Sequence, residues 1–258
     1  MGRIIAVAQH KGGTGKTTTC INLGASLCDM GKTVLLIDLD PQASLTLSLG
    51  INPLEVGKST HDVLIDPAVG IKDVIQRRPV LNLFIVPSHI DLVMVDMELA
   101  GKIGREKALS KKLGPVKHDF DFIFIDCPPT LGILTVNALV AAESVIVPVQ
   151  CEPLTFYGIK NLMQIINLVR EEMNAELKIE GVLRTMYDRR TKVSREVSDS
   201  LKETFNDLVF NTTIYKHVKF AEGPVHEAPI SFYAPRSPGT EEYQNLAKEL
   251  LIHEAGKS

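Results

Sequence analysis

The stretch Lys11-Gly12-Gly13-Thr14-Gly15-Lys16-Thr17-Thr18 follows the apolar run Arg3-Ile4-Ile5-Ala6-Val7-Ala8 and opens a helix-length run from Thr19 to Met30. A strand, a glycine-rich turn and a helix start in that order predict a phosphate-binding loop. Glycines take positive φ and admit close backbone approach, so successive N–H groups can converge on phosphate oxygens at the positive end of a helix. Lys16 is spaced to reach the terminal phosphates, and Thr17 offers the hydroxyl that a phosphate-bridging Mg²⁺ takes as a ligand. The common pattern G-x-x-x-x-G-K-[ST] asks for glycine at position 10, where this chain has His10. The variant adds a second lysine, Lys11, which is badly placed to fold back onto phosphates held by its own backbone. It can serve a partner's nucleotide instead.

This K-G-G-x-G-K-T-T form resembles the deviant Walker A motif of the ParA/MinD family of ATPases, whose leading lysine contacts nucleotide across a dimer. The resemblance implies ATP and Mg²⁺ as cofactors, with Lys11, Gly12, Gly13, Thr14, Gly15, Lys16, Thr17 and Thr18 lining the nucleotide.

The 258 residues, 45% of them hydrophobic, suffice for one large core, and a single domain over residues 1–258 is expected. A net charge of −3 argues against a protein coated on nucleic acid by overall charge, so any DNA site must be local. Cys20, Cys28, Cys127 and Cys151 form no C-x-x-C pair and lie in apolar stretches, which reads as reduced core thiols. The chain enters a strand almost at once, and no apolar run approaches the roughly 20 residues of a membrane span. A cytoplasmic protein without a membrane partner is expected.

Beyond the first helix, Lys32 to Asp38 is a β-branched apolar run ending in a carboxylate, as a buried parallel strand would be. Ligands of open α/β sheets collect beyond the carboxyl ends of strands, so Asp38 and Asp40 of Asp38-Leu39-Asp40-Pro41-Gln42 should face the loop's crevice. Two carboxylates near phosphates suggest metal and water handling. The region from Leu45 to Lys117 shows one strand, Leu81 to Pro87, and a basic stretch from Lys102 to Lys117 that reads as a solvated face.

Phe122-Ile123-Phe124-Ile125-Asp126 is a second apolar strand tipped by an acid, followed by Cys127-Pro128-Pro129 and a helix-length run from Thr130 to Ala142. It resembles a Walker B strand, which makes Asp126 a metal-site residue with Thr17 and Asp38. Further strands are read over 144–149 and 179–183, separated by a helical stretch over 156–173. This alternation predicts an α/β fold: a mostly parallel twisted sheet flanked by helices.

After Leu183, six basic residues between Arg184 and Lys202 stand against three acids in a chain of net charge −3. Arg189, Arg190, Lys192 and Arg195 sit where a strand hands over to a helix spanning Val193 to Phe205, with Thr191 and Ser194 as capping candidates. Lys216 and Lys219 form a second cluster after Phe210–Tyr215. Charge alone fits a phosphate-contacting surface and a solvated face equally well. The segment T-M-Y-D-x-R-T resembles the DNA-contacting segment of chromosomal ParA (Soj-type) proteins, with Arg190 on its arginine. Lys216 falls where that family has the arginine of I-P-R-N, although Tyr215 replaces the proline.

The run from Glu241 to Leu251 places Tyr243, Leu246, Ala247, Leu250 and Leu251 on one helical stripe with an acidic opposite face, so it should pack on the sheet rather than on lipid. The ParA resemblance extends over nearly the whole chain, through D-L-D-P-Q, I-D-C-P-P and Ala221-Glu222-Gly223-Pro224. It starts directly at the loop strand, like the short ParA class. It implies an ATPase that forms a homodimer with ATP and binds non-specific double-stranded DNA on the nucleoid. A ParB-like or other cargo adaptor would stimulate hydrolysis and so release it, with Lys11, Lys16 and Asp40 as catalytic residues. A MinD-like membrane-cycling division-site regulator is the alternative, disfavoured by the acidic last helix. A carrier of the nitrogenase iron protein type would need paired cysteines, and a metabolic kinase does not need Lys11.

Overall fold

The computed structural model describes residues 2–78, 82–153 and 155–255. Its eight strands are β1 (Arg3–Val7), β2 (Val34–Asp38), β3 (Gln76–Arg77), β4 (Leu83–Val86), β5 (Phe122–Asp126), β6 (Ser144–Gln150), β7 (Lys178–Tyr187) and β8 (Val209–Tyr215). They form one sheet in the order β3-β4-β2-β5-β1-β6-β7-β8. Every pairing is parallel except that of the two-residue β3 with β4.

Alternate residues of each central strand point to opposite faces, and both faces are covered, which is why the strands read as unbroken apolar runs. Ile4 and Ala6 of β1 join Leu35, Ile37, Ile123 and Ile125 in one core layer, which the helices Ile133–Ala141, Thr155–Glu172 and Lys192–Phe205 cover. Ile5 and Val7 join Leu36, Phe122 and Phe124 in the other, beneath the helices Lys16–Asp29 and Pro238–Ala255. No helix among the described residues is long and apolar enough to cross a membrane.

Parallel register fixes the functional end of the sheet. Val7, at the mouth of the glycine loop, lies opposite Asp126, and Asp38 lies opposite Asp126 on the other side. The two acid-tipped strands therefore end level with the loop.

Three sequence expectations are corrected. Strand β7 runs to Tyr187 rather than stopping at Leu183, because Arg184 and Thr185 continue to pair with β8 and β6. Arg184 is consequently 6% exposed and donates to Ser198 Oγ and the carbonyls of Phe210 and Asn211, so it belongs to the interior and not to a basic surface. Of the capping candidates, Thr191 accepts from the Ser194 N–H, whereas the Ser194 hydroxyl donates to Cys151 O. The strand expected over 81–87 is β4, and Leu81 lies outside the described residues. In the basic stretch, Lys112 clips a loop by donating to the carbonyls of Asp66, Pro67 and Val69. Lys117 pairs with Glu143.

Glycine in the middle of β7 is a packing requirement: a Cβ at Gly181 would lie 2.4 Å from the Phe210 ring. The last helix buries Tyr243, Leu246, Ala247 and Leu250, as its stripe predicted. Its acids have a use that charge patterning did not suggest. Strand β8 is the sheet's edge, and Glu249 accepts from the N–H groups of Asn211 and Thr212 while Glu242 accepts from that of Tyr215.

Candidate nucleotide site and basic face

The loop between β1 and the helix Lys16–Asp29 turns through Gly13 at φ +73° and Gly15 at φ +86°, a backbone region that residues with a Cβ rarely adopt. The amide of Thr19 already bonds Gly15 O, so helical pairing starts immediately after the turn. Lys16 is 7% exposed, and its ammonium donates to Lys11 O at 3.4 Å, across the mouth of the loop. Thr185 of β7 braces the loop by donating to Thr14 O at 2.8 Å.

The loop opens into a cleft of about 340 Å³ lined by every residue from Gly12 to Thr18 and by Asp40. Asn22, Pro129, Met186 and Phe220 are among its further wall residues. None of these four was a sequence candidate. Pro129 belongs to the recognised strand-end motif and Met186 to the T-M-Y-D-x-R-T segment, and Met186 also has an unusual backbone, at φ +49° in a residue with a side chain.

Behind the cleft, the Thr17 hydroxyl donates to Asp126 Oδ2 at 2.7 Å, while Asp126 Oδ1 is buried with no hydrogen-bond partner among the described residues. Burial pushes the Asp126 carboxyl well above its ordinary range, and the neighbouring Asp38 charge adds to this, against the Thr17 bond and Lys16. Asp38 is pushed up to about 6, chiefly by burial. Its oxygens are already engaged, Oδ2 by the Thr46 N–H and hydroxyl and Oδ1 by the Asp40 N–H. It therefore shapes the loop that carries Asp40 rather than facing the cleft. Asp40 is further held through its carbonyl by Ser88, and one of its carboxylate oxygens accepts from Gln42.

A dication fits this arrangement. Two fully buried carboxylates side by side, one with an orphaned oxygen and both pushed toward protonation, form an electrostatic deficit that a nearby positive charge would relieve. Among the described residues no group of three or more His, Cys, Asp or Glu is arranged as a metal cage, so a metal here would lean on phosphate oxygens and the Thr17 hydroxyl.

Lys11 stands apart. Its ammonium leaves the loop and meets Glu152 Oε2 at 2.8 Å and Gln150 Oε1 at 3.2 Å, at the end of β6. The four cysteines are buried and unpaired, and burial pushes the thiols up, Cys28 to about 12 and Cys151 to about 11.

The basic candidates lie beyond β7, and three of the six are turned onto local acids. Arg190 grips Asp188 through two bonds of 2.9 and 2.8 Å, and holds the Asp188 carboxyl down to about 2. Lys192 meets Glu196 at 3.2 Å, and Lys219 meets Glu222 at 2.8 Å. Arg189 lies over the Tyr215 ring, 4.1 Å from its centroid. Arg195 and Lys216 are exposed and make no ion pair among the described residues.

A family model described as an AAA domain matches residues 2–179. The Bacillus subtilis sporulation initiation inhibitor protein Soj is 46% identical over 253 residues, which span 98% of this chain and 100% of that protein. The chain belongs to the ParA/MinD family. The Treponema pallidum chromosome-partitioning ATPase Soj is 43% identical over 98% of this chain and 99% of its own length. Among solved structures, a Mycobacterium smegmatis protein named cobyrinic acid a,c-diamide synthase, with bound ATP analogue and magnesium, superposes with a TM-score of 0.88 at 37% identity. That match covers 100% of this chain and 98% of the other. This ParA/MinD-type member thus shares its P-loop fold with a protein seen holding an ATP analogue and magnesium at 37% identity.

Proposed function

We propose that this ParA/MinD-type protein is a partition ATPase. It closes into a homodimer around ATP, binds double-stranded DNA without sequence preference in that state, and is released when a ParB-like or other cargo adaptor stimulates hydrolysis. The observation that carries this is the contiguity of cleft and basic face along one strand. Thr185 of β7 braces the phosphate loop, and the exposed arginines begin only four residues later at Arg189. The two Soj proteins match at higher identity than the synthase-named structure, over essentially their whole length, which favours partition over amide synthesis.

In this scheme the loop amides from Gly12 to Thr18 and the Lys16 ammonium bind phosphates, and Thr17 with Asp126 behind it holds Mg²⁺. The metal, when bound, offsets phosphate charge. Asp38 fixes the turn that carries Asp40, and Asp40 orients the attacking water with the carboxylate oxygen not taken by Gln42. Lys11 exchanges Glu152 for the partner's phosphates. The pair it gives up is half-exposed and worth only about 0.2–1 kcal/mol, so it is a weak barrier to that exchange. Arg189, Arg190, Lys192, Arg195, Lys216 and Lys219 meet DNA phosphates, which would make the protein nucleoid-associated. The membrane-cycling alternative loses support because Glu242 and Glu249 of the last helix are committed to β8.

The test is light scattering with ATP and Mg²⁺. Lys11→Ala should bind ATP like the parent yet stay monomeric. Dimerisation as ready as the parent's would remove the cross-dimer role.

A further inference from the structure

An edge strand leaves one row of backbone N–H groups without a strand partner. Along β8 three such groups are taken by two carboxylates seven residues apart on one face of the last helix, two of them where the β7–β8 register shifts. Glu249 serves the far end, accepting from Asn211 N at 2.6 Å and Thr212 N at 2.9 Å. Glu242 serves the near end, accepting from Tyr215 N at 3.0 Å. Only Glu242 also reaches past the strand, where its second oxygen accepts from His217 Nε2 at 2.7 Å.

The segment that Glu242 grips is a shared wall. Tyr215, Lys216 and His217 border a hollow of about 310 Å³ whose other side includes Gly15 and Thr18 of the phosphate loop. The same three residues border a second hollow of about 470 Å³ whose other side is Asp188, Arg189 and Arg190. Ring contacts continue inward. His217 lies 5.7 Å from Phe220, and Phe220 lies 5.6 Å from Tyr243, measured between centroids. The Tyr243 hydroxyl sits 3.3 Å from Thr19 Oγ1, on the helix that the loop opens. Lys216 is additionally held by its N–H to Tyr187 O at 3.2 Å, and Glu242 fixes the residues on either side of it.

We infer that Glu242 is a positioning residue for two sites at once: by fixing Tyr215–His217 it sets the wall of the hollow that backs Gly15 and Thr18 of the phosphate loop, beside the cleft, and the placement of Lys216 on the basic face. This rests on the proposed function, since it takes the cleft for ATP and the basic face for DNA. Glu249 supplies the matched control, because it makes the same kind of edge-strand contact at residues that border neither the phosphate loop nor Lys216.

The experiment compares Glu242→Ala and Glu249→Ala with the parent, measuring ATP affinity by calorimetry with Mg²⁺ and affinity for a short fluorescent duplex with ATP by anisotropy. Loss of a charge-assisted acceptor should weaken both affinities about tenfold in Glu242→Ala and leave both near parental in Glu249→Ala, although both variants unfold at lower temperature. Equal behaviour of the two variants in both assays would overturn the inference and leave Glu242 a structural residue only. If Glu242→Ala does not fold, Glu242→Gln against Glu249→Gln decides. The first should lose about two- to fourfold in both affinities together, and parental affinities in Glu242→Gln would overturn the inference. Parental protein that binds neither ATP nor duplex refutes the functional reading itself, and this inference with it.

Discussion

At the phosphate cleft the charged groups are buried and mutually arranged. Lys16 is 7% exposed, Asp38 and Asp126 are 0% exposed, and Thr17 joins the loop to Asp126. At the basic face, just beyond the end of β7, the Arg190 and Lys192 side chains are 87% and 84% exposed and turned onto acids two and four residues away. The first region is pre-organised, because a buried charge without partners costs several kcal/mol and its geometry must therefore be settled by the fold. The second is adaptable: exposed pairs are worth less than about 1 kcal/mol and are easily exchanged for phosphate. Substitutions in the cleft should accordingly act as switches, and substitutions on the face as adjustments.

The largest effect belongs to Lys16. Lys16→Ala should reduce ATP affinity by at least about a hundredfold, since a buried charge-assisted contact is lost. Asp40→Ala should instead bind ATP and dimerise but hydrolyse poorly. Calorimetry and a phosphate-release assay separate the two. Unchanged affinity in a folded Lys16→Ala protein would break the contrast at its stronger side.

A second, smaller effect follows from the raised carboxyls. Asp38, at about 6, and Asp126 bind protons more readily folded than unfolded. Their contribution to the stability of the nucleotide-free protein is therefore present at low pH and is lost as pH rises from about 4 through about 6. A bound dication opposes that loss. The rise in melting temperature that Mg²⁺ adds to ATP should thus be larger at about pH 7.5 than at about pH 5, and the difference should shrink in Asp126→Asn. Equal increments at both pH values in the parent would show that these carboxyls do not sense the metal.

The smallest effect sharpens the face. Asp188 holds Arg190 through two bonds, so Asp188→Asn should free the guanidinium and raise duplex affinity about two- to fivefold without altering ATP binding. A fall in affinity would mean that Arg190 works only while paired.

The same contrast explains what the sequence disclosed. The loop, Asp40, Asp126 and the parallel sheet were legible because glycine positions, strand-tip acids and unbroken apolar runs are forced by burial and backbone geometry. Lys11 was legible as an oddity, but its contact with Glu152 was not, since the two are 141 residues apart. Arg184 was misread as surface because a basic residue in a basic run gives no sign that its strand continues; pairing with β6 and β8 on either side buries it. Phe220, which walls the cleft, carries no local signal beyond being apolar, and Met186 was legible only as part of T-M-Y-D-x-R-T, not as a cleft residue. Glu242 and Glu249 looked like solvated acids, because nothing in a single helix reveals the edge strand beside it.

In the proposed cycle, nucleotide at the buried site controls DNA at the exposed one. Duplex affinity measured by anisotropy across a salt series, with ATP and with ADP, tests it most directly. With ATP and Mg²⁺ binding should be tighter, and log affinity should fall with log salt by about 0.9 for each phosphate neutralised, which makes the slope steeper for a dimer than for a monomer. Replacing Arg190, Lys192 and Lys216 together by alanine should flatten that slope for all sequences alike while ATP-dependent dimerisation persists. Affinity indifferent to nucleotide, or a slope that survives the triple substitution, would contradict the account.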